Sequence, residues 1–256
     1  MILFMLLIGL IIGSFLNVCI YRIAREESIS YPPSHCTSCR YELKWKDLVP
    51  VMSYLFIKGK CRICKEKISI RYPIVELVNG IIYCILFLKF GITIVFIKYC
   101  VLVSILIVIG MIDYDTKFVY RSTTIFALVT GFVFVIINWI MHKNGVVDSL
   151  IGALIGFSII FLIVILTRGM GEGDIEIATV CGLFLGAQGV GIALFLSFLI
   201  GGIAGVIILC LKIKDRKSEM AFGPCLAIGA IITMMWGTAI FNTYSKVFFY
   251  NWFNAI

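Results

Sequence analysis

Charge is what this 256-residue chain has least of: Asp, Glu, Lys and Arg make up 14% of it, against about a quarter in ordinary globular proteins. Hydrophobic residues reach 61%, and mean hydropathy is +1.08. So little polar side chain cannot cover a globule in water, and such a chain is solvated mostly by lipid. The same apolar excess excludes disorder. Only five prolines occur, with no low-complexity tract, internal repeat or Pro-rich linker, which excludes collagen-like sequences. The length excludes a small disulfide scaffold. Residues of alternating polarity are too rare for a membrane barrel, so spanning helices are expected.

The charge that is present is concentrated. Lys and Arg number 22 against 14 Asp and Glu, for a net +8. Eleven of the basic residues fall between Arg22 and Arg71. Beside long apolar segments, and without aromatic readers or a basic fold, this cluster indicates a cytoplasmic loop; no nucleic-acid partner is expected. The first apolar run, 1–21, is followed by Arg22 and Arg25 and preceded by no basic residue. That is the reverse of a secretory signal, so a retained helix with its N-terminus outside is expected.

Seven further spans are expected at 74–88, 92–112, 122–141, 149–167, 175–188, 189–211 and 222–243. The resulting alternation places Asp113–Arg121, Arg168–Asp174 and Lys212–Glu219 inside. Eighteen basic residues then lie inside and three (Lys89, Lys143, Lys246) outside, with Lys98 in a span. The expected fold is an all-α polytopic membrane protein with about eight transmembrane helices. Its expected parts are a first helix (1–21), a cytoplasmic loop domain (22–73) and a membrane domain (74–256).

Six of the ten cysteines lie in or beside apolar spans and are small hydrophobes there. The other four form Cys36-Thr-Ser-Cys39 and Cys61-Arg-Ile-Cys64. Two C-x-x-C knuckles in one loop suit tetrahedral Zn²⁺, giving a zinc-ribbon-like loop. A cytoplasmic setting argues against disulfides. Four sulfur ligands leave no open position for a catalytic water, so the expected role is structural. Arg40, Lys60, Arg62 and Lys65 offset the thiolate charge, and His35 is read as a bystander.

Carboxylates near spans cost about 2.5–3.5 kcal/mol each to insert when ionised at the helix centre, and call for an explanation. Glu76, near the cytoplasmic end of the second helix, is read as interfacial. Two acidic clusters remain: Asp113-Tyr114-Asp115 closes the third span, and Gly169-Met170-Gly171-Glu172-Gly173-Asp174 follows the fifth. Both are expected at the cytoplasmic face. Two carboxyls brought together at about 3 Å cannot both ionise; they share a proton, as in an aspartic protease. Gly169, Gly171 and Gly173 are expected to permit positive φ and the close approach of an extended substrate. Spacing alone leaves Asp115 and Glu172 as competitors for the catalytic pair.

Several landmarks together resemble a known family. These are Gly13-Ser14-Phe15-Leu16-Asn17-Val18 with Tyr21-Arg22, Pro32-Pro33-Ser34-His35-Cys36, Leu48 through Leu55, Gly59-Lys60-Cys61, Arg71-Tyr72-Pro73, the glycine run ending at Asp174, and Phe222-Gly223-Pro224. Over nearly its whole length the chain resembles bacterial type IV prepilin peptidases, which are intramembrane aspartic proteases of the Gly-x-Gly-Asp class. The resemblance implies Asp113 and Asp174 as catalytic residues, with Asp115 at a position where the family varies. It implies cleavage of the basic leader of type IV prepilins or pseudopilins at the cytoplasmic face of the inner membrane. It also implies N-methylation with S-adenosylmethionine in many members, a reaction linked to the loop, with Gly59 and Lys60 as candidates.

Two positions depart from the family pattern: Tyr120 replaces a usual proline, and Glu176 a frequent lysine. The rival from another class is a transporter using the Asp pair as a proton or cation relay. Such proteins place their carboxylates near the bilayer midplane, and these are expected at an edge. A non-enzymatic assembly platform with the loop as docking module is the second rival.

Overall fold

The computed structural model of the chain describes residues 1–142, 145–167, 169–211 and 221–254, with 142 and 248–254 as backbone alone. Lys143, Arg168 and the expected inside segment Lys212–Glu219 lie outside the described residues. Among the described residues, seven helices are long and apolar enough to cross a membrane: α1 (Ile2–Ile23), α3 (Arg71–Phe90), α4 (Ile94–Thr116), α5 (Arg121–His142), α6 (Val146–Thr167), α7 (Glu172–Cys210) and α8 (Gly223–Asn254). A short helix, α2 (Met52–Phe56), lies in the loop between α1 and α3. Apart from two isolated β-bridges in that loop, the regular structure among the described residues is helical. The chain is an all-α, multi-pass membrane protein.

Two spans depart most from the expected boundaries: α8 runs to Asn254, well past the expected end at 243, and α7 joins two expected spans. At 39 residues it is ~58 Å long, nearly twice the hydrocarbon thickness of about 30 Å. Gly186, at φ 77° and ψ 179°, breaks it into two helical segments. The break therefore falls slightly before the expected boundary at 188–189. Asp148 of α6 sets the position: its carboxylate accepts the Ala187 N–H at 3.2 Å, capping the second segment. A Cβ on Gly186 would run into that carboxylate.

By its contacts the chain divides into two compact units, Met1–Thr116 and Lys117–Ile256. In the first, α1 packs on α3 and α4. Lipid supplies no hydrophobic drive between helices, so close backbone approach and interhelical hydrogen bonds hold them instead. Gly9 and Gly13, spaced as G-x-x-x-G, supply that approach. A Cβ on either would meet a Cα of α3, Gly80 or Glu76, at 2.7 Å. Asn79 Nδ2 donates to Gly9 O (2.7 Å), and Asn17 Nδ2 to Tyr72 O (3.0 Å). Leu86 of α3 and Leu102, Val103 and Leu106 of α4 are fully buried.

In the second unit α7 packs against α5, α6 and α8. The same device recurs: Gly152 and Gly156 of α6 lie directly on the backbone of Gly182 and Ala178 of α7. On the other flank, Gly229 of α8 lies against Ser197 and Ala193.

Overpacking of this kind costs about 1–3 kcal/mol or more. Gly152→Val is therefore expected to lower the thermal midpoint of detergent-purified protein by several degrees. Gly202→Ala, at a helical glycine with nothing within 4 Å of its would-be Cβ, is expected to leave it unchanged.

Candidate metal centre and active site

The loop between α1 and α3 folds around sulfur. The four Sγ atoms of Cys36, Cys39, Cys61 and Cys64 lie within 4.8 Å of one another. Two of the separations are 3.8 Å (Cys36–Cys64) and 3.9 Å (Cys39–Cys61). A tetrahedral Zn²⁺ with Zn–S bonds near 2.3 Å has sulfur–sulfur edges of about 3.8 Å, so the donor set and its geometry both fit the metal.

The two knuckles are built alike. Cys36 N–H donates to Tyr41 O and Arg40 N–H to Cys36 O, each at 2.9 Å; Cys61 N–H donates to Glu66 O (2.8 Å) and Lys65 N–H to Cys61 O (3.1 Å). Arg40 and Lys65 hold equivalent left-handed positions, at φ 56° and 62°. Each knuckle closes with a single bridge, His35 to Glu42 and Lys60 to Lys67. Backbone N–H groups of Cys64 and Ile63 directed at its sulfur draw the Cys61 thiol down to about 6. At Cys64 a backbone hydrogen bond at Glu66 is outweighed by burial and the neighbouring sulfurs, which push that thiol up to about 12, so the clustered thiols ionise unequally. His35 turns its Nδ1 toward Pro33 O at 2.9 Å and is not part of the sulfur cluster.

Several polar residues tie the loop to the helices, a task that their charge and hydropathy do not reveal. Buried Arg22 does more than flank a span. Its guanidinium donates to Ser28 O (2.9 Å), Ile29 O (3.0 Å) and Pro32 O (2.5 Å), gathering the start of the loop. Glu76 is buried, and its Oε2 accepts the Val51 N–H at 2.7 Å. It is thus a fastening point between loop and α3. Arg62 Nε donates to Asp47 Oδ1 at 2.9 Å, linking the second knuckle to the middle of the loop.

The two expected catalytic aspartates occupy opposite kinds of helix end, one in each unit. Asp113 lies in the last turn of α4 and is 5% exposed. Asp115 points elsewhere: it pairs with Arg71 at the start of α3, and Arg71 Nη2 also reaches Met111 O at 3.5 Å. The competitor carboxylate of that run is thereby engaged in an ion pair.

Asp174, also 5% exposed, stands in the first turn of α7, which begins at Glu172. The glycine run is accordingly shorter as a loop than expected. Asp174 Oδ2 accepts the Gly171 N–H at 3.2 Å, which fixes the carboxyl's orientation. None of Gly169, Gly171 and Gly173 has positive φ, which corrects that expectation. Space is what Gly173 provides: a Cβ there would meet Val119 Cβ at 2.5 Å. Glu172 is exposed.

Comparison with known proteins bears on this arrangement. The family model described as the bacterial peptidase A24 N-terminal domain matches residues 7–90, and that of the type IV leader peptidase family matches residues 100–206. The chain is 32% identical over 240 residues to a prepilin leader peptidase/N-methyltransferase of Bacillus subtilis, covering 93% of this chain and 96% of that protein. A protein of the same name from Pseudomonas aeruginosa is 31% identical over 268 residues (93% and 91%), and one from Neisseria gonorrhoeae 29% over 255 (88% and 87%). This chain belongs to the prepilin leader peptidase/N-methyltransferase family. No solved structure matches it.

For a prepilin leader peptidase, the departures at Tyr120 and Glu176 have readable surroundings. Tyr120 O caps the start of α5, accepting the Thr123 N–H (2.9 Å) and Thr123 Oγ1–H (2.6 Å). A backbone carbonyl does this work, so the missing proline ring is not needed for it. Glu176 is half-buried one turn into α7. Gly59 and Lys60 are both used by the second knuckle. Gly59 sits at φ 66°, and a Cβ there would meet the Tyr54 hydroxyl at 2.8 Å; Lys60 N–H donates to Ile57 O at 3.2 Å. These contacts give the pair structural duties in the second knuckle.

Freshly purified protein is expected to carry about one zinc per chain by elemental analysis. Cys36→Ser/Cys64→Ser should reduce it below a tenth and speed proteolysis of the loop. Cys100→Ser, at a cysteine buried in α4, should leave the zinc content intact.

Proposed function

We propose that this chain is an intramembrane aspartic endopeptidase that removes the basic leader of type IV prepilins or pseudopilins, with Asp113 and Asp174 as its catalytic pair. The observation that carries the assignment is that each of these carboxyls is almost wholly buried at a helix end, in a chain belonging to a family of leader peptidases. Burial of an acid in an apolar helix is costly, and such groups mark function.

In the proposed reaction the two carboxyls share one proton. The ionised partner takes a proton from water as its oxygen attacks the scissile carbonyl carbon. The protonated partner hydrogen-bonds the carbonyl oxygen and then yields its proton as the tetrahedral intermediate forms. Collapse of that intermediate breaks the C–N bond, and the leaving amine takes up a proton from the pair. No covalent enzyme intermediate forms. Gly171 keeps one side of Asp174 free of side chains, leaving room for an extended stretch of substrate beside the carboxyl, while Gly173 lets Val119 pack against the start of α7.

The proposed topology sets the N-terminus outside and the loop and both aspartates at the cytoplasmic side of the bacterial inner membrane, as the placement of basic residues favours. The prepilin's apolar helix enters from the lipid while its basic leader stays in the cytoplasm, near Glu172 and Glu176. The two knuckles form a minimal zinc-ribbon-like unit around structural Zn²⁺. Methyl transfer from S-adenosylmethionine to the new N-terminus is proposed as a second reaction on the ground of family membership. Gly59 and Lys60 would serve it through the loop they shape.

The test is mass spectrometry of a synthetic prepilin segment incubated with protein in lipid nanodiscs, with and without S-adenosylmethionine. Wild type is expected to release the leader and, with the methyl donor, to add one methyl group. Asp113→Asn and Asp174→Asn should each lower turnover by about 10³-fold or more while remaining folded, and Asp115→Asn should stay within about tenfold of wild type. Near-normal cleavage by either of the first two rejects the pair.

A further inference from the structure

The hydrogen bond from Val51 to Glu76 fixes more than the loop's attachment. α3 has 20 residues, which at 1.5 Å each match the hydrocarbon thickness of about 30 Å, so its first turn lies at the boundary with the headgroups. Glu76 is about 7.5 Å further along the same helix. Because the Val51 N–H is 2.7 Å from Glu76 Oε2, the start of α2 is held level with the second turn of a spanning helix. At that level the segment turns its apolar side chains outward: Met52 is 49% exposed, Leu55 62% and Phe56 78%. Trp45, just before, is 73% exposed with Lys46 Nζ 5.3 Å from its ring centroid.

The charges around this patch are mostly positive. Lys44, Lys46, Lys58 and Lys60 flank it and are exposed. Asp47, the acidic residue among them, is engaged by Arg62 at 2.8 Å. Apolar side chains flanked by lysines and a tryptophan match a bilayer surface with anionic headgroups, where the rings and aliphatic groups enter the acyl boundary and the ammonium groups stay with the phosphates.

We propose that residues 45–56 form an interfacial anchor, with Met52, Leu55 and Phe56 among the acyl chains and the flanking lysines on anionic lipid phosphates. The anchor holds the second knuckle, whose first cysteine, Cys61, lies five residues after Phe56, immediately beneath the membrane surface. The proposal rests on α3 being a membrane span and not on the peptidase reaction, so either can fail alone.

Photocrosslinking tests it. Full-length protein carrying p-benzoylphenylalanine in place of Phe56, or of Leu55 should the first variant misfold, is placed in nanodiscs of equimolar phosphatidylglycerol and phosphatidylcholine with a prepilin peptide present. The same substitution at Leu7, 49% exposed on α1, gives the reference yield of lipid adducts. The expected result is a phospholipid adduct within about threefold of the Leu7 yield, with phosphatidylglycerol favoured about threefold or more. Adducts mainly to the added peptide or to this chain, no adduct where Leu7 labels, or no preference for the anionic lipid would each overturn it.

Discussion

A carboxylate in an apolar helix has to be satisfied by something other than bulk water, and much of this structure is arranged around that need. Asp148 caps the second segment of α7 through the Ala187 N–H, Glu76 takes the Val51 N–H, Asp115 takes Arg71 and Asp47 takes Arg62. Each of these acids performs a fastening task visible in its partner. Among the described residues only Glu76, Asp113 and Asp174 are buried acids. Glu76 serves the loop, and Asp113 and Asp174 are the two proposed as the catalytic pair.

The membrane part and the loop are stabilised by different means. In each unit a G-x-x-x-G stripe brings one helix onto the backbone of the next, Gly9 and Gly13 in α1, Gly152 and Gly156 in α6. Such contacts rely on dispersion at short range because lipid gives no hydrophobic drive. The loop has no sheet or sizeable core among its described residues, and a metal-sized sulfur cluster stands in for one. Small domains without enough apolar surface commonly use a metal in this way, and binding energy is then folding energy.

Hydropathy made the spans legible, since about 20 apolar residues have few alternatives in lipid. The knuckles were legible because C-x-x-C spacing carries its own ligand geometry. What could not be read were choices made by partners remote in sequence. Any of several glycines in α7 could have hosted the break, and Asp148 selects Gly186. Arg22 and Arg71 counted only as positive charges, whereas one gathers three loop carbonyls and the other occupies Asp115. The glycine run before Asp174 suggested unusual backbone angles, and the structure uses Gly173 for close contact with Val119 instead. Glu76 signalled an interfacial charge but not the amide it receives.

The central proposal is that Asp113 and Asp174, far apart in sequence, act together on one water molecule. The most direct test replaces both, as Asp113→Cys/Asp174→Cys, in a chain whose six cysteines outside the knuckles are changed to serine. Oxidation, or a thiol reagent with a span of a few ångströms, is then applied in native membranes and the linkage mapped by peptide mass spectrometry. Disulfide formation needs Cα atoms within about 7 Å, so the short reagent covers a slightly wider pair. The account predicts a high yield of the 113–174 link. Two thiols that each react with a small alkylating agent but never join would contradict it.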